Sequence, residues 1–515
     1  MRVLLPCLFL LVACPSTVEE PPPAEAPGFP DDFLWGTASA AWQAEGDYDP
    51  DPSDGFAVRS NWTVWTERGC VIDAQTNPAG AGFYTKYADD FALAAGLGNN
   101  TVRLTIDWAR VEPENDVWNE AEVAHYVEVL QAAHDAGLTP MVTFWHWVMP
   151  TWVQNPTEVD PLDTLAAPAG PDSFWVQEFE EFVRHVAAEV GEYVDLYSIL
   201  NEPFSVISAG YLLGGCGSEA FPPGRTLDLR GARGTAANLL FGHAAACHAL
   251  RELDVTDIDG DGSAALCGMA ATNNVMRPAD AYNDDDVSGA AKMDWIYNHS
   301  FMAALMDGDV DLDFDQAFTT TAADNPDLPI DEGRYPQLAG TLDWHGLNYY
   351  GPISVVGLPA SSIGGLPSID VADYDPSLPH SSLGFAIDAG GFGEVLDAFA
   401  VYGLPIYITE NGLGDPEDAD RAMFLVEHLD QLQAAIGRGV DVRGYYHWSL
   451  TDNFEWAHGF HQRFGLYRVD FEDPALPRTR NGSADAYQQV IEANAITDDL
   501  RSAWIKERYS SDGRL

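Results

Sequence analysis

Eight short apolar runs, each separated from the next by a longer amphipathic stretch, constrain this chain more than any other feature of it. The runs are 33–41, 101–108, 139–147, 196–202, 265–272, 343–350, 405–410 and 442–449. Between them lie segments such as 119–136, 173–194 and 420–436, in which apolar residues recur at three and four, the spacing of a helix with one buried face. Buried strands alternating with such helices predict an α/β fold, a single (β/α)8 TIM barrel. The chain has 515 residues, and barrels of this kind accommodate long insertions. Two are expected at 309–340, rich in Asp and Pro, and 352–390, rich in Gly, Pro and Ser.

The polar residues of these runs gather at their C-terminal ends. Arg103 lies on the second strand, His146 and Trp147 end the third, and Asn201 and Glu202 end the fourth. Asn348 and Tyr350 end the sixth, Glu410 the seventh and Trp448 the eighth. In a barrel all these ends converge on one face, where active sites are built. An unpaired buried carboxylate is costly, so Glu202 in Ile-Leu-Asn-Glu-Pro and Glu410 in Ile-Thr-Glu-Asn-Gly each need a partner or a purpose. One alone reads as a structural ion pair. Two, three strands apart, fit the carboxyl pair of glycosidic bond cleavage.

The chain resembles glycoside hydrolase family 1, the β-glucosidase family, over about residues 29–495. The motifs run in order: Phe33-Leu34-Trp35-Gly36, Gln43-Ala44-Glu45-Gly46, Arg103 to Arg110, His146-Trp147, Asn201-Glu202-Pro203, Gly346 to Tyr350, Thr409 to Gly412, Trp448 to Trp456 and Arg463 to Leu466. Asn-Glu-Pro is shared with a wider clan of barrel glycosidases; the ordered set with the Trp448–Trp456 block is specific. The resemblance implies a retaining, exo-acting β-glucosidase acting on small β-glucosides or cello-oligosaccharides, with β-galactosides or β-fucosides as further substrates and no required cofactor. Glu410 would be the nucleophile and Glu202 the acid/base, with carboxyl groups about 5–5.5 Å apart. Arg103 and Tyr350 would hold the Glu410 carboxyl low. Asn201 would bond the sugar 2-OH, and Asn348 would support the pair. Gln43, His146 and Glu455 would take ring hydroxyls, Trp147 and Trp456 would offer indole N–H groups, Trp448 would form the floor and Phe464 would pack by the C6 arm. Relatives that cleave 6-phosphoglycosides lack the acid at Glu455, and thioglucosidases replace the one at Glu202 by Gln. Both are present here, which implies a neutral sugar. Asp107, Thr451 and Phe144-Trp145 depart from the family pattern without removing a catalytic group. The alternatives are an endo-β-glycanase of the same clan and a catalytically inactive glycan-binding lipoprotein.

Charge narrows the partners. The net charge is −55, and only Lys86, Lys292 and Lys506 accompany the arginines. Such a chain is repelled by nucleic acid and by anionic lipid. Membrane contact is therefore expected only through an anchor. Residues 1–14, MRVLLPCLFLLVAC, have the length of a signal-peptide core and end like a bacterial lipobox, which makes Cys14 the lipidation site. An ordinary cleaved secretory signal is the alternative, and either predicts export. A Pro- and Glu-rich tether follows over 15–28, the catalytic domain over 29–500 and a tail over 501–515. Export permits disulfides: Cys70 and Cys216 lie in loops able to pair, whereas Cys247 and Cys267 read as buried thiols, and the connectivity stays open. Asp257, Asp259 and Asp261 have the oxygen-ligand spacing of a calcium loop; the alternative is a plain acidic turn. The sequence leaves the oligomeric state open.

Overall fold

The computed structural model describes residues 28–46, 58–357 and 378–505, apart from 160, 218 and 261, together with the backbone of 368–370. Cys14, Asp261 and most of the Pro/Glu-rich tether lie outside the described residues.

Eight parallel strands close into a barrel. They are β1 (Leu34–Ala38), β2 (Thr101–Thr105), β3 (Thr139–Trp145), β4 (Leu196–Asn201), β5 (Leu266–Thr272), β6 (Trp344–Tyr349), β7 (Ile406–Asn411) and β8 (Val442–His447). Each falls within or at the edge of one expected run and pairs with its sequence neighbours, with β1 pairing β8 to close the ring. Almost every strand residue is buried, because helices cover the outside and side chains fill the inside.

A helix follows every strand: α1 (Phe83–Gly96), α2 (Glu120–Asp135), α3 (Phe174–Val190), α4 (Leu229–Leu253), α5 (Asp284–Asp294), α6 (Ala389–Phe399), α7 (Arg421–Gly437) and α8 (Gly482–Ala493). On α3 the buried residues Trp175, Phe179, Phe182, Val183, Val186 and Val190 trace one face. Ser173 starts the helix by accepting from the Val176 N–H. Helix α4 is buried almost all round, and its small residues permit close approach to α3. A Cβ on Gly242 would lie 2.4 Å from the Trp175 ring.

The two insertions hold small sheets. Asp309–Val310 pairs with Gly333–Arg334, and Ile353–Val356 pairs with Met276–Pro278 and Ser368–Asp370. The two ends of the described domain meet: the Phe29 N–H donates to the Asn494 carbonyl, and the last described helix, Asp498–Trp504, runs past residue 500 with Arg501 paired to Asp430.

Cys70 and Cys216 form a disulfide. The reading of Cys247 and Cys267 as free thiols is corrected, because they too are bonded, with Cα atoms 5.8 Å apart. One faces inward from α4 and the other outward from β5, a juxtaposition that sequence spacing does not reveal. In the acidic loop after α4, Asp257 accepts from Gly260 and Gly262 N–H groups, and Asp195 accepts from Ile258 and Asp259. Asp257 is turned onto its own loop, and Asp195, just before β4, holds the same loop from outside. No described helix is long and apolar enough to cross a membrane.

Candidate active site

Strand register brings the catalytic candidates together. Asn348 on β6 sits opposite Glu410 on β7, just past an irregularity in the pairing. Arg103 points into the barrel from β2 with no exposure at all. Its Nη1 donates to Glu410 Oε1 at 2.7 Å, its Nη2 to Asn201 Oδ1 at 2.7 Å, and its Nε to Thr143 Oγ1 at 3.1 Å. The Tyr350 hydroxyl donates to the other Glu410 oxygen, also at 2.7 Å. Glu202, at φ 45°, turns the chain sharply out of β4. Left-handed backbone at a non-glycine residue is uncommon and clusters at functional sites. Trp147 and Trp456 share it, at φ 72° and 43°. Glu202 accepts from Asn348 Nδ2 at 2.8 Å and from Ser205 Oγ at 2.7 Å.

A cavity of about 830 Å³ opens over these groups. Glu202, Glu410, His146, Trp147, Tyr350, Trp448, Glu455, Trp456 and Phe464 line it. Arg103, Asn201 and Asn348 stand behind the two carboxyls, and Gln43 donates to Glu455 Oε2 at 3.3 Å. All thirteen predicted catalytic and sugar-pocket residues therefore fall in one site.

Two expectations about their electrostatics and bonding change. Arg103 and Tyr350 do pull the Glu410 carboxyl down, but burial outweighs them and, with repulsion from Glu202, raises it to about 7. Glu455 is pushed to about 8 by burial and by the charges of Glu410 and Glu202. The Trp147 indole N–H is not free for a ligand, since it donates to the Asn201 carbonyl at 2.9 Å. The Trp448 side chain also does more than form a floor: it hydrogen-bonds Glu455.

Burial and the nearby Arg103 keep His146 neutral. Its Nε2 meets Asn201 Nδ2 at 3.0 Å, so the network assigns the ring proton to Nδ1. That atom and Gln43 Oε1 are buried without a partner. Orphaned polar atoms cost about 1–3 kcal/mol each, and a ligand rich in hydroxyls would satisfy them.

The pH dependence follows from Glu410. On the reading of Glu410 as the nucleophile, only its ionised form can attack, and its folded-state pKa is raised. The expected kcat/KM therefore falls as pH drops through about 7, approaching tenfold per unit. Tyr350→Phe removes a bond that favours the charged form and should move that limb to higher pH. A wild-type limb near pH 4.5, unmoved by Tyr350→Phe, would contradict this electrostatic account.

Several functional positions escaped sequence reasoning. Ser205, Thr272, Tyr297, Leu213 and Glu219 also line the cavity. The signal for Thr272 was its place at the end of the fifth strand, the one late strand given no polar group. Trp42 and Trp62 pack against Trp456, at ring separations of 5.7 and 4.6 Å.

Comparison with known proteins agrees with this fold. The family model described as "Glycosyl hydrolase family 1" matches residues 26–496. A β-galactosidase of Pyrococcus woesei is 27% identical, over 93% of this chain and all of that protein. A bifunctional β-D-glucosidase/β-D-fucosidase of Bifidobacterium breve is 28% identical, over 90% of this chain and 98% of that one. Among solved structures, the family 1 β-glucosidase of Thermotoga maritima superposes with a TM-score of 0.76 at 27% identity, covering 92% of this chain and all of that one. The chain thus belongs to glycosyl hydrolase family 1 and is a β-glycosidase.

Proposed function

We propose that the protein is a retaining, exo-acting β-glucosidase that removes terminal β-D-glucosyl residues from small β-glucosides or cello-oligosaccharides. The carrying observation is Glu410 clamped between Arg103 and Tyr350 in the same cavity as Glu202. Glu410 Oε attacks the anomeric carbon while Glu202 protonates the departing oxygen, giving a glycosyl ester on Glu410. Glu202, now a carboxylate, takes a proton from water as that water displaces Glu410. Arg103 and Tyr350 hold the Glu410 carboxylate in place, and Arg103 also fixes Asn201 where it would meet the 2-OH.

Specificity follows from the buried end of the cavity. Gln43, Glu455 and His146 present acceptors and a donor to ring hydroxyls, which suits a chain-end sugar. The acid at Glu455 disfavours a phosphorylated one. Relatives named for β-galactosidase and β-fucosidase activity support galactosyl and fucosyl residues as further substrates. The proposed location is the cell envelope of a bacterium, with Cys14 lipidated. The two disulfides support export, because such bonds persist in oxidising compartments.

The test is hydrolysis of p-nitrophenyl β-glucoside followed by NMR of the first-formed sugar. β-Glucose is expected first. α-Glucose first would mean single displacement and would remove Glu410 from its role. No turnover by the folded protein on any β-glycoside would favour a glycan-binding protein instead.

A further inference from the structure

A carboxyl that must carry a proton in one step and lack it in the next needs a neighbour that tolerates both states. The two oxygens of Glu202 differ in this respect. Oε1 faces Asn348 Nδ2, which can only donate. Oε2 faces Ser205 Oγ, a hydroxyl that can donate or accept. Ser205 Oγ lies in turn 3.3 Å from Thr272 Oγ1. The sharp turn at Glu202 creates this arrangement: the Ser205 N–H closes back on the Glu202 carbonyl at 3.1 Å, bringing the two side chains side by side. Ser205 and Thr272 both line the cavity, as do Ser208, Tyr297 and Leu213.

We propose that Ser205, backed by Thr272, is a positioning residue that keeps the transferable proton of Glu202 on Oε2 and holds that oxygen toward the departing group. This rests on the acid/base reading of Glu202. With the acid protonated, Asn348 occupies Oε1, so the proton sits on Oε2 and Ser205 accepts from it while donating to Thr272. When the proton passes to the glycosidic oxygen, the Ser205 hydroxyl turns and donates to the new carboxylate. In the second half, water returns a proton to Oε2 and Ser205 turns back. Ser205 and Thr272 keep their own protons throughout, and the net transfer is one proton from Glu202 to the leaving alcohol and one from water to Glu202.

The test is kcat/KM for Ser205→Ala, Ser205→Thr and Thr272→Val on aryl β-glucosides of graded leaving-group acidity. General acid catalysis contributes about 10²- to 10⁴-fold, and misplacing the acid should forfeit part of it. Ser205→Ala is therefore expected to lose about tenfold or more on phenyl β-glucoside and less than about twofold on 2,4-dinitrophenyl β-glucoside, whose leaving group needs no proton. Ser205→Thr should restore the phenyl rate, and Thr272→Val should show a weaker version of the alanine pattern. Unchanged dependence on the leaving group in Ser205→Ala, or an equal loss on both substrates, overturns the proposal. Glu202→Gln is measured alongside. If it too shows no leaving-group dependence, the acid/base reading itself has failed; if it shows a steep one while Ser205→Ala does not, only the role of Ser205 has.

Discussion

Replacing Glu410 by Ala is expected to lower kcat/KM on p-nitrophenyl β-glucoside by at least about 10⁴-fold, or about 5.5 kcal/mol of barrier. The variant lacks the group proposed to form the ester, whereas its surroundings remain polarised for an anion. Arg103 keeps Asn201 and Thr143 as partners, and Tyr350 loses its acceptor. Removing one partner of a buried pair can also destabilise a fold by about 3–5 kcal/mol, so Glu410→Gln is the necessary companion. It preserves shape and hydrogen bonds yet should be as inactive. The decisive readout is rescue. Azide or formate entering beside Arg103 occupies the space of the lost carboxylate and attacks 2,4-dinitrophenyl β-glucoside from the same face. The azide product is then α-glucosyl azide. Retained hydrolysis in both variants, or a β-azide from the alanine variant, would show that another group is the nucleophile.

The parts of this protein legible in its sequence are those in which a local signal and a fold rule coincide. Each barrel strand is a short run buried on both faces, so it stands out against the three-and-four spacing around it. The rule that strand ends converge then assembles Arg103, Asn201 and Glu410 from positions far apart in the chain. What the sequence hides is contact between elements whose local patterns are ordinary. Cys247 is one small residue on a helix of small residues, and nothing near it marks the bond to Cys267. Trp147 looks like any sugar-facing tryptophan, but its N–H is satisfied by the Asn201 carbonyl. Glu410 shows the same limit for energetics. Its favourable neighbours can be named from motifs, but the burial opposing them depends on how completely eight strand ends exclude water. Ser205 is hidden by its own surroundings, since a serine one turn after a strand reads as a helix start.

Glu202→Gln should separate the two halves of the reaction, which no other single change in this site can do. The amide keeps an acceptor for Asn348 and places an N–H against Ser205, so the geometry around it is preserved. On cellobiose or alkyl β-glucosides the loss should be about 10³-fold or more, since neither step has its acid or base. On 2,4-dinitrophenyl β-glucoside the first step needs no proton and should stay fast. The second step lacks a base to activate water, so the glycosyl ester on Glu410 should accumulate. The signature is a burst of dinitrophenol equal to the enzyme present, followed by slow turnover. Azide needs no base. It should accelerate that slow phase and yield β-glucosyl azide, the opposite anomer to the one expected from Glu410→Ala. That pair of products ties each glutamate to one face of the sugar. A single-displacement enzyme would give no burst, because no ester forms. A variant that turned over both classes of substrate at the wild-type rate would show that Glu202 moves no proton, and that the bonds from Asn348 and Ser205 serve only to tie β4 to its neighbours.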